Sequence, residues 1–517
     1  MARDKRGPKT GITVEAVLRC TLVVGLLVLQ LLLLFVFVRF LRANAVTVYS
    51  LLELGCSIAI VALVSEHEDA NYRFAWVVCV LIMGVFGLVL YLMWGRGTRH
   101  NKLGVSIRRV FGRRKEVLLQ DPQVSGAMRT QYPDCARLSE YLIGQGFPVY
   151  TDTKTRYFPL GEQAFDAMLE DMEKAERYIY LEFFMVFEGQ IYERVLDVLT
   201  RKAAQGLDVR LMYDDMGSLV TTSHAFLDRL EQAGVRVIIF NPVQRYVHQM
   251  YLNYRDHRKI VTIDGNVCYT GGINIGDEYA NLYPKHGHWK DTAVRFEGDA
   301  AYSLTVFLLQ MWQACTEETF DFADYRPARC EAPEAGFMQP YEDGPHNNPN
   351  NPAENVYRQI LCTAKNYVYI TTPYLVLDDV LLSELCLAAE SGVDVRIIIP
   401  GIPDHWYVQQ VSLSFSGRLM HSGVRVYRYT PGFVHAKMCV ADDVQATVGT
   451  VNLDYRSFYL HYEDGVYFVG DPVVMQVKDD IESLFEQCEE LHYDAWLRRP
   501  WYHKLVQPIL RIFAPMM

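Results

Sequence analysis

The sequence has little charge and no closely paired cysteines for its length of 517 residues. Only 21% of the residues are charged, and the 11 cysteines are scattered singly, without a Cys-x-x-Cys pair. This spacing argues against a disulfide framework and a cysteine zinc site, and it favours a reducing compartment. Half of the residues are hydrophobic, which excludes a disordered or collagen-like protein. The length also excludes a single small domain.

The net charge differs in sign between the two parts of the chain, with few acidic residues in the first part and fewer basic than acidic residues in the second. Residues 1–115 contain 16 Lys and Arg against 6 Asp and Glu, whereas the other 402 residues contain 34 against 55. An acidic body repels the phosphates of nucleic acids, so we expect no nucleic-acid partner. A basic stretch beside apolar segments suits the anionic cytoplasmic leaflet of a membrane.

The N-terminal part contains three apolar stretches. Residues 20–38 carry no charge, and residues 74–94 include Trp76, Tyr91 and Trp94 as an interfacial aromatic belt. Both stretches are long enough to cross about 30 Å of hydrocarbon as a helix. Residues 45–64 contain Glu53, which is costly to bury in lipid, so this stretch could span, re-enter or pack against its neighbours. The sequence leaves two and three spans open.

The orientation follows from the charges around the last apolar stretch. The acidic residues Glu66, Glu68 and Asp69 precede it, and basic residues from Arg96 to Lys115 follow it. Because positive charge stays on the cytoplasmic side, we expect a multi-pass protein of the cell membrane whose body faces the cytoplasm.

The body contains an internal duplication. From about residue 148, amphipathic stretches alternate with short β-branched runs, which predicts an α/β architecture. The segment Ala175–Tyr180 resembles Ala364–Tyr369, 189 residues later, and Gly234–Val237 resembles Gly423–Val426 at the same offset. Two homologous halves are the economical explanation. We expect a membrane anchor with a basic juxtamembrane stretch over 1–115, a first half over 116–325, a linker or surface loop over 326–353, and a second half with a C-terminal segment over 354–517.

One constellation recurs in both halves with identical internal spacing. The copies are His257, Lys259, Asp264 and Asn274, and His435, Lys437, Asp442 and Asn452. Either copy alone is weak evidence, but two in a duplicated chain are strong. Residues two apart on a strand point to one face, so each histidine should lie beside its lysine. If the duplicated halves face one another about a pseudo-twofold axis, one pocket contains two His, two Lys and two Asn.

These side chains suit phosphoryl transfer. Lysine and asparagine bind nonbridging oxygens and stabilise the charge of the transition state, while one imidazole attacks phosphorus and the other protonates the leaving alcohol. We expect no metal and no other cofactor, because a lysine at the centre of each motif repels a cation.

The motif resembles the signature of the phospholipase D superfamily, His-x-Lys-x4-Asp-x6-Gly-x-x-Asn in two copies, over residues 148–500. With the apolar N-terminus and the segments Asn253–Lys259 and Asn452–Phe458, the architecture resembles that of bacterial cardiolipin synthases. The resemblance implies two phospholipase D-like halves with mixed β-sheets flanked by helices, preceded by transmembrane helices. Gly272 and Thr450 depart from the serine that the family often has, a change that could alter hydrogen bonding in the phosphate loop.

The resemblance also assigns roles. It implies that His257 forms a phosphatidyl-histidine, and that His435 protonates the departing glycerol and then deprotonates the acceptor hydroxyl. The two lysines, with Asn274 and Asn452, would hold the phosphate. Asp264 and Asp442 complete the catalytic signature and could instead brace the strand ends. One carboxylate per half, Asp291 and Glu463, would orient a histidine, although Asp291 could also be a surface carboxylate.

The implied function is a cardiolipin synthase that transfers a phosphatidyl group between two phosphatidylglycerol molecules and releases glycerol. A hydrolysing phospholipase D, or a transferase with another alcohol acceptor such as phosphatidylethanolamine, shares the same constellation. The acidic body disfavours a nuclease, and the eight intact motif residues disfavour a silent scaffold. The C-terminal stretch Trp501–Phe513 is amphipathic enough to lie on a membrane, although Pro508 interrupts it and packing on the second half is an equal alternative.

Overall fold

The computed structural model describes residues 28–32, 45–65, 70–95, 102–218, 224–242, 253–327, 336–347 and 350–516. Within these ranges, the strands of the first half of the body are β1 (Thr153–Phe158), β2 (Tyr178–Phe183), β3 (Asp208–Asp214), β4 (Arg236–Phe240), β5 (Arg255–Asp256), β6 (Ile260–Ile263), β7 (Val267–Gly271), β8 (His288–Lys290) and β9 (Ala293–Gly298). Its helices are Pro122–Gln131, Pro133–Gln145, Gly161–Glu173, Gln190–Ala204, Asp215–Ser218, His224–Gln232 and Ala301–Thr316.

The second half contains β10 (Phe337–Asp343), β11 (Tyr367–Thr371), β12 (Leu375–Val376), β13 (Asp394–Pro400), β14 (Arg425–Tyr429), β15 (Gly432–Val434), β16 (Lys437–Ala441), β17 (Gln445–Gly449), β18 (Leu453–Asp454), β19 (His461–Val469) and β20 (Cys488–Leu491). Its helices are Pro352–Thr363, Asp379–Glu390, Trp406–His421, Tyr455–Tyr459, Pro472–Phe485, Tyr493–Leu497 and Trp501–Ile512.

The two main sheets have the same strand order. The first runs β1-β9-β7-β6-β2-β3-β4, and the second runs β10-β19-β17-β16-β11-β13-β14, with β20 added at its edge. In each sheet the three strands that alternate with helices are parallel, whereas the strands that carry the repeated motif are antiparallel. The predicted α/β fold with two homologous mixed-sheet halves is therefore confirmed.

A buried helix holds the two halves together. Residues Ala301–Thr316 are apolar on almost every side and pack against strands of both sheets. A helix that is hydrophobic all round belongs in a core rather than at a surface. Phe296 of β9 also stacks on Phe468 of β19, with 5.9 Å between ring centroids. The two sheets therefore share one continuous apolar core.

The predicted linker over 326–353 is wrong in its second part. Residues Phe337–Asp343 form β10, which pairs with β19 along its whole length and is buried throughout. The segment contains Pro340, Glu342 and Asp343, residue types that are depleted in strands, so it did not look like a strand. The second half therefore begins at β10 and not at residue 354.

The second portion of the basic stretch before residue 115 is also part of the body. The helix Lys102–Phe111 buries Ile107, Val110 and Phe111 in a cluster with Met311 and Trp312. The buried Arg114 then forms an ion pair with Glu342 of β10. The boundary predicted at residue 115 thus lies inside a packed region.

The predicted membrane segments are only partly described. Apart from residues 28–32, the stretch 20–38 lies outside the described residues. The other two stretches correspond to the helix Ala45–Ser65 and to the helices Ala70–Met83 and Val85–Leu90, which are separated at Gly84, whose φ is 57°. Within the described ranges, none of the helices combines the length and the apolar character that a membrane crossing requires.

Asp264 and Asp442 brace the strand ends. Asp264 accepts hydrogen bonds from the backbone N–H groups of Glu176, Arg177 and Tyr178 at 2.8–2.9 Å. Asp442 does the same at the start of β11, with the backbone of residues 365–367. Both aspartates have φ of 54° and follow the strand at the end opposite the histidine. This placement favours the alternative that both aspartates brace the strand ends over a catalytic role.

We expect Asp264→Ala and Asp442→Ala each to lower the free energy of unfolding by about 1–3 kcal/mol, because three backbone N–H groups lose a charged acceptor. Thermal unfolding of the purified chain measures the loss. Asp152→Ala is a control, since Asp152 also has positive φ, at 48°, without this role. An unchanged melting temperature in both variants would contradict the bracing role.

Candidate active site

Each repeated histidine is tied to the backbone of the other half. Strand β5, which precedes His257, pairs with the start of β19, and the backbone N–H of His257 donates to the carbonyl of Tyr462 at 2.8 Å. Strand β15, which precedes His435, pairs with β8, and the N–H of His435 donates to the carbonyl of Lys290 at 2.7 Å. These matching contacts bring both histidines to the seam between the sheets.

The two carboxylates of the site are exchanged between the halves. The Nδ1 atom of His257 lies 2.9 Å from Glu463 Oε2, and the Nδ1 atom of His435 lies 2.6 Å from Asp291 Oδ2. A carboxylate at Nδ1 keeps the proton on that nitrogen and leaves a lone pair on Nε2. Both carboxylates are fully buried, so the alternative of a surface carboxylate at Asp291 is wrong.

The lysines share this buried site. Lys259 Nζ donates to the carbonyl of His257, and Lys437 Nζ donates to that of His435, each two residues back on the same strand face. Burial lowers the pKa of Lys259 to about 8 and that of Lys437 to about 7. Desolvation of this kind disfavours the charged ammonium, so a bound anion would strengthen both charges.

The imidazoles are held in the neutral form. Burial, followed by the charges of Lys259 and Lys437, lowers the pKa of His257 well below its usual value. Burial and Lys437 lower the pKa of His435 to about 4, against the opposing pull of Asp291. A neutral imidazole with a free Nε2 lone pair is a nucleophile. The two histidines and two lysines of the motif therefore influence one another's pKa values within a single buried site.

The two asparagine side chains differ in how many of their hydrogen-bonding groups already have a partner. The amide of Asn274 accepts from the N–H of Met185 at 3.0 Å and donates to the Tyr279 hydroxyl at 2.8 Å, which leaves one N–H available. The Oδ1 atom of Asn452 is buried without a hydrogen-bond partner in the described structure. A buried polar group without a partner is costly, and in this place it suits contact with a ligand.

The departures from serine at positions 272 and 450 have different consequences. A Cβ atom on Gly272 would lie 2.0 Å from Asp291 Oδ1, so the first half needs glycine beside its aspartate. Thr450 Oγ1 instead donates to Glu463 Oε2 at 2.5 Å and accepts from the N–H of Asp464 at 2.9 Å. Only the carboxylate that contacts His257 therefore receives a hydroxyl hydrogen bond from this position.

His461 is a third histidine that the sequence reasoning missed. Its ring centroid lies 5.5 Å from that of His257, and its Nδ1 lies 3.7 Å from Glu463 Oε1. Arg456 Nε donates to His461 Nε2 at 3.1 Å, which leaves the proton of a neutral imidazole on Nδ1, facing Glu463. The available signal was spacing, since His461 precedes Glu463 by two residues and shares its strand face.

His257, His461 and Glu463 place potential metal-ligand atoms within 4.8 Å of one another. Three features of the site oppose a cation there. Glu463 already accepts from His257, and the hydrogen bond from Arg456 favours a proton on the nitrogen of His461 that faces the cluster. Lys259 and Lys437 add positive charge beside His257. These residues fit an anion better than a metal ion.

Comparison with known proteins identifies the family. The model of the cardiolipin synthase, phospholipase D-like domain matches residues 168–283 and 357–486, and a phospholipase D-nuclease N-terminal model matches residues 56–96. The chain belongs to the phospholipase D-like cardiolipin synthase family. It is accordingly an enzyme of the phosphatidyltransferase type.

Curated relatives extend over almost the whole chain. The major cardiolipin synthase of Bacillus subtilis is 33% identical over 478 residues, which cover 90% of this chain and 97% of the relative. A cardiolipin synthase of Listeria welshimeri is 31% identical, with coverage of 90% and 98%. An uncharacterized protein of Streptococcus mutans is 36% identical, with coverage of 89% and 99%. The two phospholipase D-like halves and the N-terminal region thus occur together in these relatives.

A solved structure shows the same fold. Phosphatidylserine synthase of Haemophilus influenzae matches with a TM-score of 0.55 at 16% sequence identity, covering 74% of this chain and 98% of that structure. At this identity the match establishes the two-half architecture alone.

We expect Glu463→Gln and Asp291→Asn to lower phosphatidyl transfer by a factor on the order of 10³–10⁴, because an amide can donate to Nδ1 and so move the proton to Nε2. Turnover and melting temperature are measured together, with the exposed Glu489→Gln as the control for loss of a carboxylate. Wild-type turnover in either buried variant would contradict the assigned tautomer.

Proposed function

We propose that this protein transfers a phosphatidyl group from one phosphatidylglycerol molecule to the hydroxyl of another, which yields cardiolipin and glycerol. The observation that carries the proposal is the pair of exchanged contacts, His257 with Glu463 and His435 with Asp291. They supply one nucleophile and one acid–base in a single lysine-lined site. The printed names of the Bacillus and Listeria relatives agree with this activity.

In the first step, His257 Nε2 attacks the phosphorus of the donor lipid and the bond from phosphorus to the glycerol oxygen breaks. His435, which gains a proton on Nε2 when the donor phosphate offsets the charge of Lys437, gives that proton to the glycerol oxygen, and Asp291 stabilises the imidazolium. In the second step, His435 takes the proton of the acceptor hydroxyl while its oxygen displaces His257 from phosphorus. One phosphodiester is made for each one broken, so the reaction requires no nucleotide.

The remaining motif residues bind the phosphate. Lys259 and Lys437 approach from the two halves, so an anionic phosphate between them would be neutralised from both sides. The unpartnered Oδ1 atom of Asn452 and the available N–H of Asn274 lie in corresponding loops of the two halves. An amide can be turned to present its NH₂ group, which would bind the nonbridging oxygens. Asp264 and Asp442 do not take part in this step.

We place the protein at the cell membrane with its body on the cytoplasmic side. The apolar character of residues 20–38 and the match of residues 56–96 to an N-terminal family model support this placement. The helices Ala45–Ser65 and Ala70–Met83 also expose large apolar side chains, among them Leu51, Ile58 and Ile82. We divide the chain into an N-terminal anchor, a first half through residue 327, and a second half from β10 onward.

The alternative reactions differ only in the molecule that attacks the phosphohistidine. Water would give phosphatidic acid, and another alcohol would give a different diester. The buried state of His257 and His435 favours a lipid hydroxyl over bulk water, because a dry site limits hydrolysis of a reactive intermediate.

We expect the detergent-purified protein to convert phosphatidylglycerol alone to cardiolipin and glycerol, in amounts that a chelator does not change. Mass spectrometry of the lipid products measures this outcome. His257→Ala and His435→Ala should each lower the rate by a factor on the order of 10⁴ or more, whereas the exposed His405→Ala should not. Phosphatidic acid as the main product would replace the synthase by a hydrolase, and full activity of the histidine variants would refute the site.

A further inference from the structure

The C-terminal helix has one face on the protein and one face that the described residues leave exposed. Residues Trp501–Ile512 form a single helix that continues through Pro508. On its inner side, His503 and Gln507 contact Gln410 of the helix Trp406–His421. On its outer side, Trp501, Leu505 and Ile509 are 75%, 56% and 49% exposed. These three positions recur every four residues, so they form one apolar stripe.

A crevice of about 260 Å³ lies beside this helix. Most of its wall is apolar, and its polar side chains include Asn71, Asp379 and Arg511. The apolar wall includes Phe74, Leu377, Phe415, Pro508 and Ile512. Phe74 comes from the helix Ala70–Met83 and is itself 57% exposed, so the crevice is continuous with the apolar surface of the proposed membrane anchor.

Arg511 is the unusual residue of this crevice. Its guanidinium lies over the Phe415 ring at 4.2 Å from the centroid. Among the residues that the structure describes, it makes no hydrogen bond and no ion pair within 4.0 Å, and only the more distant Asp379 and Arg418 act on its charge. Arginine is the side chain best suited to bidentate recognition of phosphate. A half-buried arginine without a close acceptor therefore points to an anionic ligand.

The crevice also lies close to the phosphate-binding loop of the active site. Leu377 follows β12, which pairs with β18, and β18 begins directly after Asn452. Tyr455, which follows β18, lines the crevice and stacks on Tyr72 of the anchor helix, with 5.7 Å between centroids. A ligand in the crevice would thus contact the segment that leaves the active site.

We propose that this crevice binds an anionic phospholipid of the bilayer, with its phosphate on Arg511 and an acyl chain along Phe74 and Phe415, while the stripe of Trp501, Leu505 and Ile509 enters the membrane surface. The proposal rests on the membrane attachment included in the proposed function. The basic charges Lys504 and Arg511 on the same helix favour an anionic surface over a zwitterionic one.

Photoreactive phosphatidylglycerol, with the reactive group on an acyl chain, tests the proposal on the detergent-purified full chain. Mass spectrometry should find label in peptides 70–83 and 501–512, and unlabelled phosphatidylglycerol should compete at least tenfold better than phosphatidylcholine. Arg511→Gln should lower this labelling at least tenfold, whereas the matched Lys504→Gln, outside the crevice, should not. Phe74→Ser is a second variant that should lower labelling if Arg511→Gln unfolds the chain, which its melting temperature reveals.

Equal labelling in wild type, Arg511→Gln and Phe74→Ser would overturn the proposal. Competition by millimolar inorganic phosphate as strong as by phosphatidylglycerol would also overturn it, because the crevice would then be a free-anion site. Labelling requires no turnover, so a chain that labels at the crevice but makes no cardiolipin would refute the proposed reaction and leave this inference standing. Normal cardiolipin synthesis without label at the crevice would refute this inference and leave the proposed reaction standing.

Discussion

The exchanged contacts between histidines and carboxylates are the constraint on which the rest of the molecule depends. His257 needs Glu463 from the second half, and His435 needs Asp291 from the first. A fully buried carboxylate without a partner is too costly to keep charged. Neither half could therefore keep its own carboxylate paired alone, which makes the seam between the sheets part of the chemistry. The buried helix Ala301–Thr316 and the stacked Phe296 and Phe468 fix that seam.

Arg258, the residue between His257 and Lys259, helps to keep its strand in register. Because side chains alternate along a strand, Arg258 points away from the site into the interior, where it pairs with Glu182, Asp256 and Glu342. Arg114 also pairs with Glu342, so the network reaches the segment that leaves the anchor. Removing one partner of such a buried set costs about 3–5 kcal/mol. The equivalent residue in the second half is the buried Ala436, which has no charged side chain and is held by hydrogen bonds of its backbone with Lys290 and Thr371.

The parts that sequence reasoning predicted rest on short-range geometry. The two-residue period of a strand is enough to place His257 beside Lys259, and counting along the repeat pairs Asp291 with Glu463. The exchange of those carboxylates between halves needs the three-dimensional arrangement of β8 with β15 and of β5 with β19. His461 was missed because it has no copy, since Trp289 occupies the same place beside His435, with centroids 5.3 Å apart. Strand β10 was missed because its proline and acidic residues are uncommon in strands.

The differences between the halves give a physical reason for two distinct histidines in a nearly symmetric site. Glu463 accepts from His257 at 2.9 Å and from the Thr450 hydroxyl, and Nδ1 of His461 lies 3.7 Å away without a hydrogen bond. Asp291 accepts from His435 at 2.6 Å and from the backbone N–H of Thr292. The shorter of the two histidine contacts is the stronger hydrogen bond and stabilises an imidazolium better. His435 is thereby suited to carry the proton between the two alcohols, and His257 to stay neutral and bond to phosphorus, an order that the symmetric motif alone could not give.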